Sequence, residues 1–178
     1  IEQPIIQKTE STRFMDDRIS PLTNQGLILE IIRIRHRGLI NRIMSKYNSW
    51  KNPPSYYLTI DIDNLEYSSY KDHLIYNVWD SMFQEMRIIH DTFEEQETSE
   101  ITIAIIERMH KRPLYLRMQD IEREKIHLIY DYRTGRWTGD DYFEDSDGVG
   151  HYVGDTFEVW FNVYQTDFDH DGIPYWIE

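Results

Sequence analysis

Thr156-Phe-Glu-Val-Trp-Phe-Asn-Val-Tyr-Gln165 is rich in β-branched and aromatic residues, the composition of a strand. Its reading decides the fold because it leads straight into a second motif. Asp167-Phe-Asp-His-Asp-Gly-Ile-Pro-Tyr-Trp-Ile-Glu178 has the spacing of a twelve-residue calcium loop. A helix normally leads into such a loop. Here a strand does, so the loop is expected to stand alone on a sheet, which argues against a signalling switch built on an opening helix pair.

Calcium needs six to eight hard oxygens around one point, and this string supplies them by spacing. Asp167, Asp169 and Asp171 hold positions 1, 3 and 5 of the loop, and Gly172 permits the sharp turn at position 6. Ile173 offers its backbone carbonyl, Glu178 can clamp the ion with both oxygens, and Tyr175 at position 9 leaves room for a water. The bland alternative is a solvated acidic tail, which has no use for a glycine so placed.

Two further acidic groups lie upstream. In Asp140-Asp-Tyr-Phe-Glu-Asp-Ser-Asp-Gly-Val-Gly150, the carboxylates of Asp141, Asp145 and Asp147, with Asp155, can assemble a second Ca2+ site on an irregular loop. A hydrated turn is the competing reading, since Asp and Gly are ordinary turn residues. Asp61 and Asp63, with Asn64 and Glu66 nearby, are expected on one face of a strand. They complete a metal site at a sheet edge or simply form a solvated strand end.

The chain holds 32 acidic and 19 basic residues, a net charge of −13. From Trp137 to Glu178 there are eleven acids and no Lys or Arg, so the acidity sits where a divalent cation can neutralise it. Such a balance argues against nucleic acid as a partner. Cysteine is absent, so disulfides are unavailable and a metal can take over their stabilising role. No stretch reaches the roughly 18–20 apolar residues of a membrane span. The start at Ile1 fits a mature form whose signal peptide has been removed, and millimolar calcium is available outside cells. A secreted or cell-surface protein is the expectation.

The remaining sequence reads mostly as strands. Leu27–His36, Tyr56–Asp63, Glu100–Ile106, Pro113–Arg117 and Lys125–Asp131 have strand composition, and Arg133-Thr-Gly135 before Trp137 marks a hairpin turn. Leu39, Ile40, Ile43, Met44 and Tyr47 recur at helical spacing. So do Ile75, Val78, Trp79, Met82, Phe83, Met86 and Ile89, which predict a helix over 74–91. The expected architecture is mainly β, a β-sandwich or jelly roll over residues 25–178 with two short helical insertions. Residues 1–24 form an extended amino-terminal segment. Within it Ile5, Ile6, Gln7, Lys8 and Thr9 have the composition of a short strand with no obvious hairpin partner, suited to β-strand addition to another subunit. A disordered terminus is the alternative.

Seven histidines are present, none at zinc-ligand spacing from another, and no phosphate loop, nucleophile elbow or H-E-x-x-H occurs. No enzymatic function is expected. A hydrolase using the acids around Asp140 ranks last, and a calcium-dependent carbohydrate-binding module, drawing on five Trp and thirteen Tyr, is the main alternative to a structural protein.

The closing D-x-D-x-D-G-I-P-x-W-x-E string resembles the loops of thrombospondin-type-3-like microbial surface proteins. Tyr130-Asp-Tyr-Arg-Thr-Gly-Arg-Trp-Thr-Gly-Asp-Asp141, Asp145-Ser-Asp-Gly-Val-Gly-His151, Arg33-Ile-Arg-His-Arg-Gly38 and Tyr56-Tyr-Leu-Thr-Ile-Asp-Ile-Asp-Asn64 resemble the cannula subunits of hyperthermophilic archaea. That resemblance spans most of the chain. It implies a secreted β-sandwich subunit that assembles with copies of itself into hollow extracellular tubules when calcium is added. It further implies subunits joined by terminal-strand exchange, with Ile5–Thr9 as donor, and calcium at Asp167, Asp169, Asp171 and Glu178.

Overall fold

In a computed structural model the chain is described over residues 25–46, 55–67, 74–75, 81–82, 86–92, 95–110, 118–142, 144 and 148–165. Alternating apolar residues build two antiparallel sheets. The first centres on β1 (Gln25–His36) and β10 (Phe157–Gln165), with β9 (Gly150–Val153) outside β10. The far side of β1 carries β4 (Ser81–Met82) and β5 (Arg87–Thr92). The second sheet runs β3 (Leu65–Tyr67), β2 (Ser55–Ile62), β6 (Thr98–His110), β7 (Met118–Asp131), β8 (Arg136–Gly139). One helix, α1 (Leu39–Lys46), follows β1.

The sheets pack face to face. Leu27, Leu29 and Ile31 of β1 and Phe157, Val159, Phe161 and Val163 of β10 meet Leu58, Ile60, Ile101, Ile103, Ile126 and Leu128 of the other sheet in one buried cluster. Each such side chain contributes roughly 1.5–3 kcal/mol on burial. The two-residue period of β10 is complete: every second residue from Phe157 to Gln165 is buried and the others face outward.

Two register shifts interrupt this regularity. On β1 the ladder slips between Ile31 and Arg33. Inward positions change phase there, so Ile34 and His36 are buried while Arg33 and Arg35 turn out over Trp160, with guanidinium carbons 4.6 and 5.3 Å from its ring centre. On β7 the ladder to β6 skips Arg123, since Ile105 pairs with Glu124 and Ile106 with Glu122. Both shifts lie toward the same end of the sandwich.

The helix expected over 74–91 is not what the chain forms. Residues 87–92 are a strand laid antiparallel along Gln25–Glu30, and 81–82 pair with β1 farther on. The period is two: Ile88 is 3% exposed while Ile89, placed on the helical stripe, is 60% exposed. Pairing with the open side of β1 outweighs the local helical pattern, a tertiary override of a weak propensity. Among the described residues one helix is therefore present where two were expected. Strand Tyr56–Asp63 also ends one residue early. Asp63 and Asn64 have φ of 53° and 65° and form the two-residue turn between Ile62 and Leu65, a type I′ hairpin that favours these residues. The Pro113–Arg117 candidate lies outside the described residues.

Gly150 stands opposite Phe161 on β10, and a β-carbon there would lie 2.1 Å from the Phe161 ring. The ring lies over the glycine and is fully buried. Gly150→Ala is expected to destabilise the fold by about 1–3 kcal/mol through forced repacking. Chemical denaturation should show a lower midpoint with an unchanged slope.

Candidate functional site

Four of the acidic residues singled out in the sequence, Asp61, Asp63, Asp141 and Asp155, lie among the described residues. Asp61 is half-buried on β2, and its Oδ1 accepts a hydrogen bond from Asn64 N at 3.0 Å, locking the hairpin turn. Asp63, in the turn itself, bridges the two sheets. Its Oδ2 accepts from His90 Nε2 at 3.0 Å, Gln96 Nε2 at 2.8 Å and Ser99 Oγ at 2.7 Å. Its Oδ1 accepts from Glu100 N at 2.9 Å. Partial burial alone would raise its pKa, but the bonds from Ser99, Glu100 N–H, Gln96 and His90 outweigh that and hold the carboxyl below the usual range. Because a carboxylate only accepts, His90 Nε2 carries the proton shared with it. In the neutral ring Nδ1 then accepts from the Tyr67 hydroxyl 2.7 Å away. Ser99 likewise gives its one proton to Asp63 and accepts from Tyr132, whose phenol burial pushes up to about 12. His90 belongs to the first sheet and the others to the second or to its connections, so this network clasps one end of the sandwich.

Asp141 is buried between β8 and β9. Its Oδ2 accepts from Trp137 Nε1 at 2.8 Å and its Oδ1 from His151 N at 3.1 Å. It borders a shallow depression of about 250 Å³ beside Tyr142 and Tyr152. Asp155 is exposed in the β9–β10 turn and borders a different cleft. The two acids border different depressions. Asp145 and Asp147 lie outside the described residues, as do Ile5–Thr9 and the whole of Asp167–Glu178. Among the described residues no three His, Asp or Glu side chains are grouped to hold a metal ion.

The cleft that Asp155 borders lies at the opposite end of the sandwich from Asp63 and has a volume of about 540 Å³. Both register shifts feed it. The one on β1 turns His36 inward; the one on β7 sets Arg123 beside the buried Glu107 of β6, with which it forms a short ion pair. Gly38 N donates to His36 Nδ1 at 2.9 Å, which leaves Nε2–H facing the Asn41 side-chain amide 3.2 Å away. A β-carbon on Gly38 would come within 3.0 Å of that ring. Burial lowers the His36 pKa, with Arg42 and Arg123 acting the same way against Glu107 and Glu124, so the ring is neutral at pH 7. Tyr56, beneath it, packs edge-on to Phe157 with ring centres 5.0 Å apart.

The rim is fixed by Glu124, a buried carboxylate on the inward face of β7. It accepts from Phe157 N at 3.1 Å, from the Tyr152 hydroxyl at 2.8 Å and from Thr156 N. These bonds tie the β9–β10 turn of one sheet to the other sheet. Burial, and then the bond to Glu124, raise the Tyr152 phenol well above its ordinary range.

His36, Glu107, Arg123 and Glu124 were not singled out by sequence reasoning. A signal was present. Ile101, Ile103, Ile105 and Glu107 form one phase of β6, and Glu124, Ile126, Leu128 and Tyr130 one phase of β7. A carboxylate on an otherwise apolar phase is a buried acid. The tryptophans considered as sugar platforms resolve differently where described: Trp137 is core, and Trp160 stacks on His151 with ring centres 4.6 Å apart under Arg33 and Arg35.

No protein-family model matches the chain, and no curated protein matches its sequence.

Proposed function

We propose that the chain is a calcium-stabilised extracellular structural subunit that assembles with copies of itself into filaments or tubules, as its resemblance to the cannula subunits implies, and that it has no catalytic role. The observation that carries this reading is the twelve-residue calcium pattern from Asp167 to Glu178, beginning two residues after β10 ends at Gln165. The fold adds support. Leu27 pairs with Gln165, so residues 1–24 and 166–178 are attached at the same end of the same sheet, on adjacent strands. The segment that carries Ile5–Thr9 and the calcium pattern are thus joined to neighbouring strand ends. No helix among the described residues is long and apolar enough to cross a membrane.

Electron microscopy of the purified protein with and without millimolar calcium tests the proposal. Ordered polymers are expected only with calcium. Deleting residues 1–9 is expected to abolish them while leaving the far-ultraviolet circular dichroism of the monomer unchanged. Monodisperse subunits across the whole calcium range would reject self-assembly.

A further inference from the structure

We propose that the cleft at the His36 end of the sandwich binds a neutral saccharide, an activity separate from calcium-dependent assembly. Three observations carry it. The cleft is built by two breaks in otherwise regular ladders, which turn His36 inward and insert Arg123 beside Glu107. Register shifts of this kind re-aim side chains and recur next to binding sites. Second, Glu107 is 8% exposed on a strand phase of β6 that is elsewhere apolar, and the exposed Arg123 pairs with it from β7. A carboxylate is costly to bury where an apolar residue of the same volume would not be, so stability alone does not explain its presence. Third, the cleft is open, and its volume of about 540 Å³ lies in the range of small-molecule sites.

Charge and polarity choose the ligand class. Arg123 and Arg42 stand against Glu107, Glu124 and Asp155 around the cleft, which disfavours an anion. Glu107 is already paired with Arg123, and Glu124 already accepts from Tyr152 and the backbone, which leaves little for a cation. An apolar ligand would bury these groups without replacing their hydrogen bonds to water. An uncharged ring bearing adjacent hydroxyls fits. A guanidinium offers parallel donors and a carboxylate parallel acceptors to such a pair, and Asn41 and Thr156 add an amide and a hydroxyl at the rim.

The test is a nuclear magnetic resonance titration of the full chain with glucose, galactose, mannose, N-acetylglucosamine and their disaccharides, with inorganic phosphate as the anionic comparison. At least one saccharide is expected to shift the amides of Gly38, Asn41 and Thr156 in a saturable way. Asn41→Ala and Asp155→Ala, both at the rim, are each expected to weaken it by about tenfold, roughly one hydrogen bond to a charged or polar partner. Melting temperatures of the two variants identify any loss due to misfolding. Because every described residue lining the cleft lies outside the calcium pattern, binding is expected to persist in EDTA even if calcium proves essential for assembly. Failure of every saccharide to move these amides, shifts undiminished in both variants, preference for phosphate, or binding lost with calcium at intact fold would each overturn the assignment.

Discussion

Asp63→Asn is expected to lower the unfolding free energy by about 3 kcal/mol and the melting temperature by roughly 6–12 °C for a chain of this size. The substitution is chosen because asparagine adopts positive φ at least as readily as aspartate, so the type I′ turn at φ 53° is retained. What changes is the acceptor. Asp63 receives four hydrogen bonds, from His90, Gln96, Ser99 and Glu100 N–H. An amide keeps one oxygen, and its NH2 must face at least one of those donors. His90 and Ser99 are buried at 6% and 0% exposure, so a donor stranded there is not rescued by water. Asp61→Asn is the control. Asp61 accepts a hydrogen bond from Asn64 N, which the amide oxygen can still accept, and a change under about 1 kcal/mol is expected.

The same residue sets an acid limb. Its folded pKa lies below its unfolded value of 3.8. The stabilisation is therefore fully present above about pH 4 and is lost as pH falls through the lower, folded value. Denaturation midpoints measured from pH 6 downward should fall more steeply for the natural protein than for Asp63→Asn, the two curves converging in acid. Parallel curves would show that the carboxylate is not the group that matters at this end of the sandwich.

How much of the fold is legible depends on whether a feature is local. Strands β1, β2, β6, β7 and β10 are readable because each carries its own apolar or β-branched run, and the β7–β8 hairpin because Gly135 supplies a positive φ of 67°. The stretch from 74 to 91 misleads because Met86 and Ile89 satisfy a helical period, while the ladder that decides the matter belongs to Gln25–Glu30, some sixty residues away. The acids are legible as acids but not as partners. Asp141 sits in a loop rich in calcium-like spacing, yet the donors it meets are the indole of Trp137 and the backbone of His151. Asp63 resembles a ligand at a sheet edge because nothing local announces His90 or Ser99. The cleft is least legible of all. His36, Glu107 and Arg123 come from three strands, and two depend on register slips that a single sequence shows only as a break in alternation at Ile31-Ile32 and as charge on an apolar phase.

Removal of calcium is expected to have the other large effect, since eleven carboxylates between Trp137 and Glu178 face no Lys or Arg in the same stretch. An ion bound only by the ordered chain stabilises it by about 2.7 kcal/mol at a hundredfold excess over its dissociation constant. For one site that is a rise of roughly 5–11 °C in melting temperature between EDTA and saturating calcium. Glu178→Gln and Asp171→Asn each take a charged oxygen from the proposed loop and should abolish most of that rise and of the calorimetric heat of binding. Simple screening predicts a different pattern. Monovalent salt at about 0.15 M already has a Debye length near 8 Å, so if diffuse repulsion among the acids were the whole effect, sodium chloride would reproduce the shift and the two variants would resemble the natural protein. A site with defined geometry also distinguishes calcium from magnesium, which demands shorter octahedral contacts and gives up its water reluctantly. The expected order is therefore a large shift with calcium, a small one with magnesium and none from salt alone. An identical melting curve in EDTA and in calcium would remove the ion from the stability of this protein and, with it, the trigger proposed for assembly.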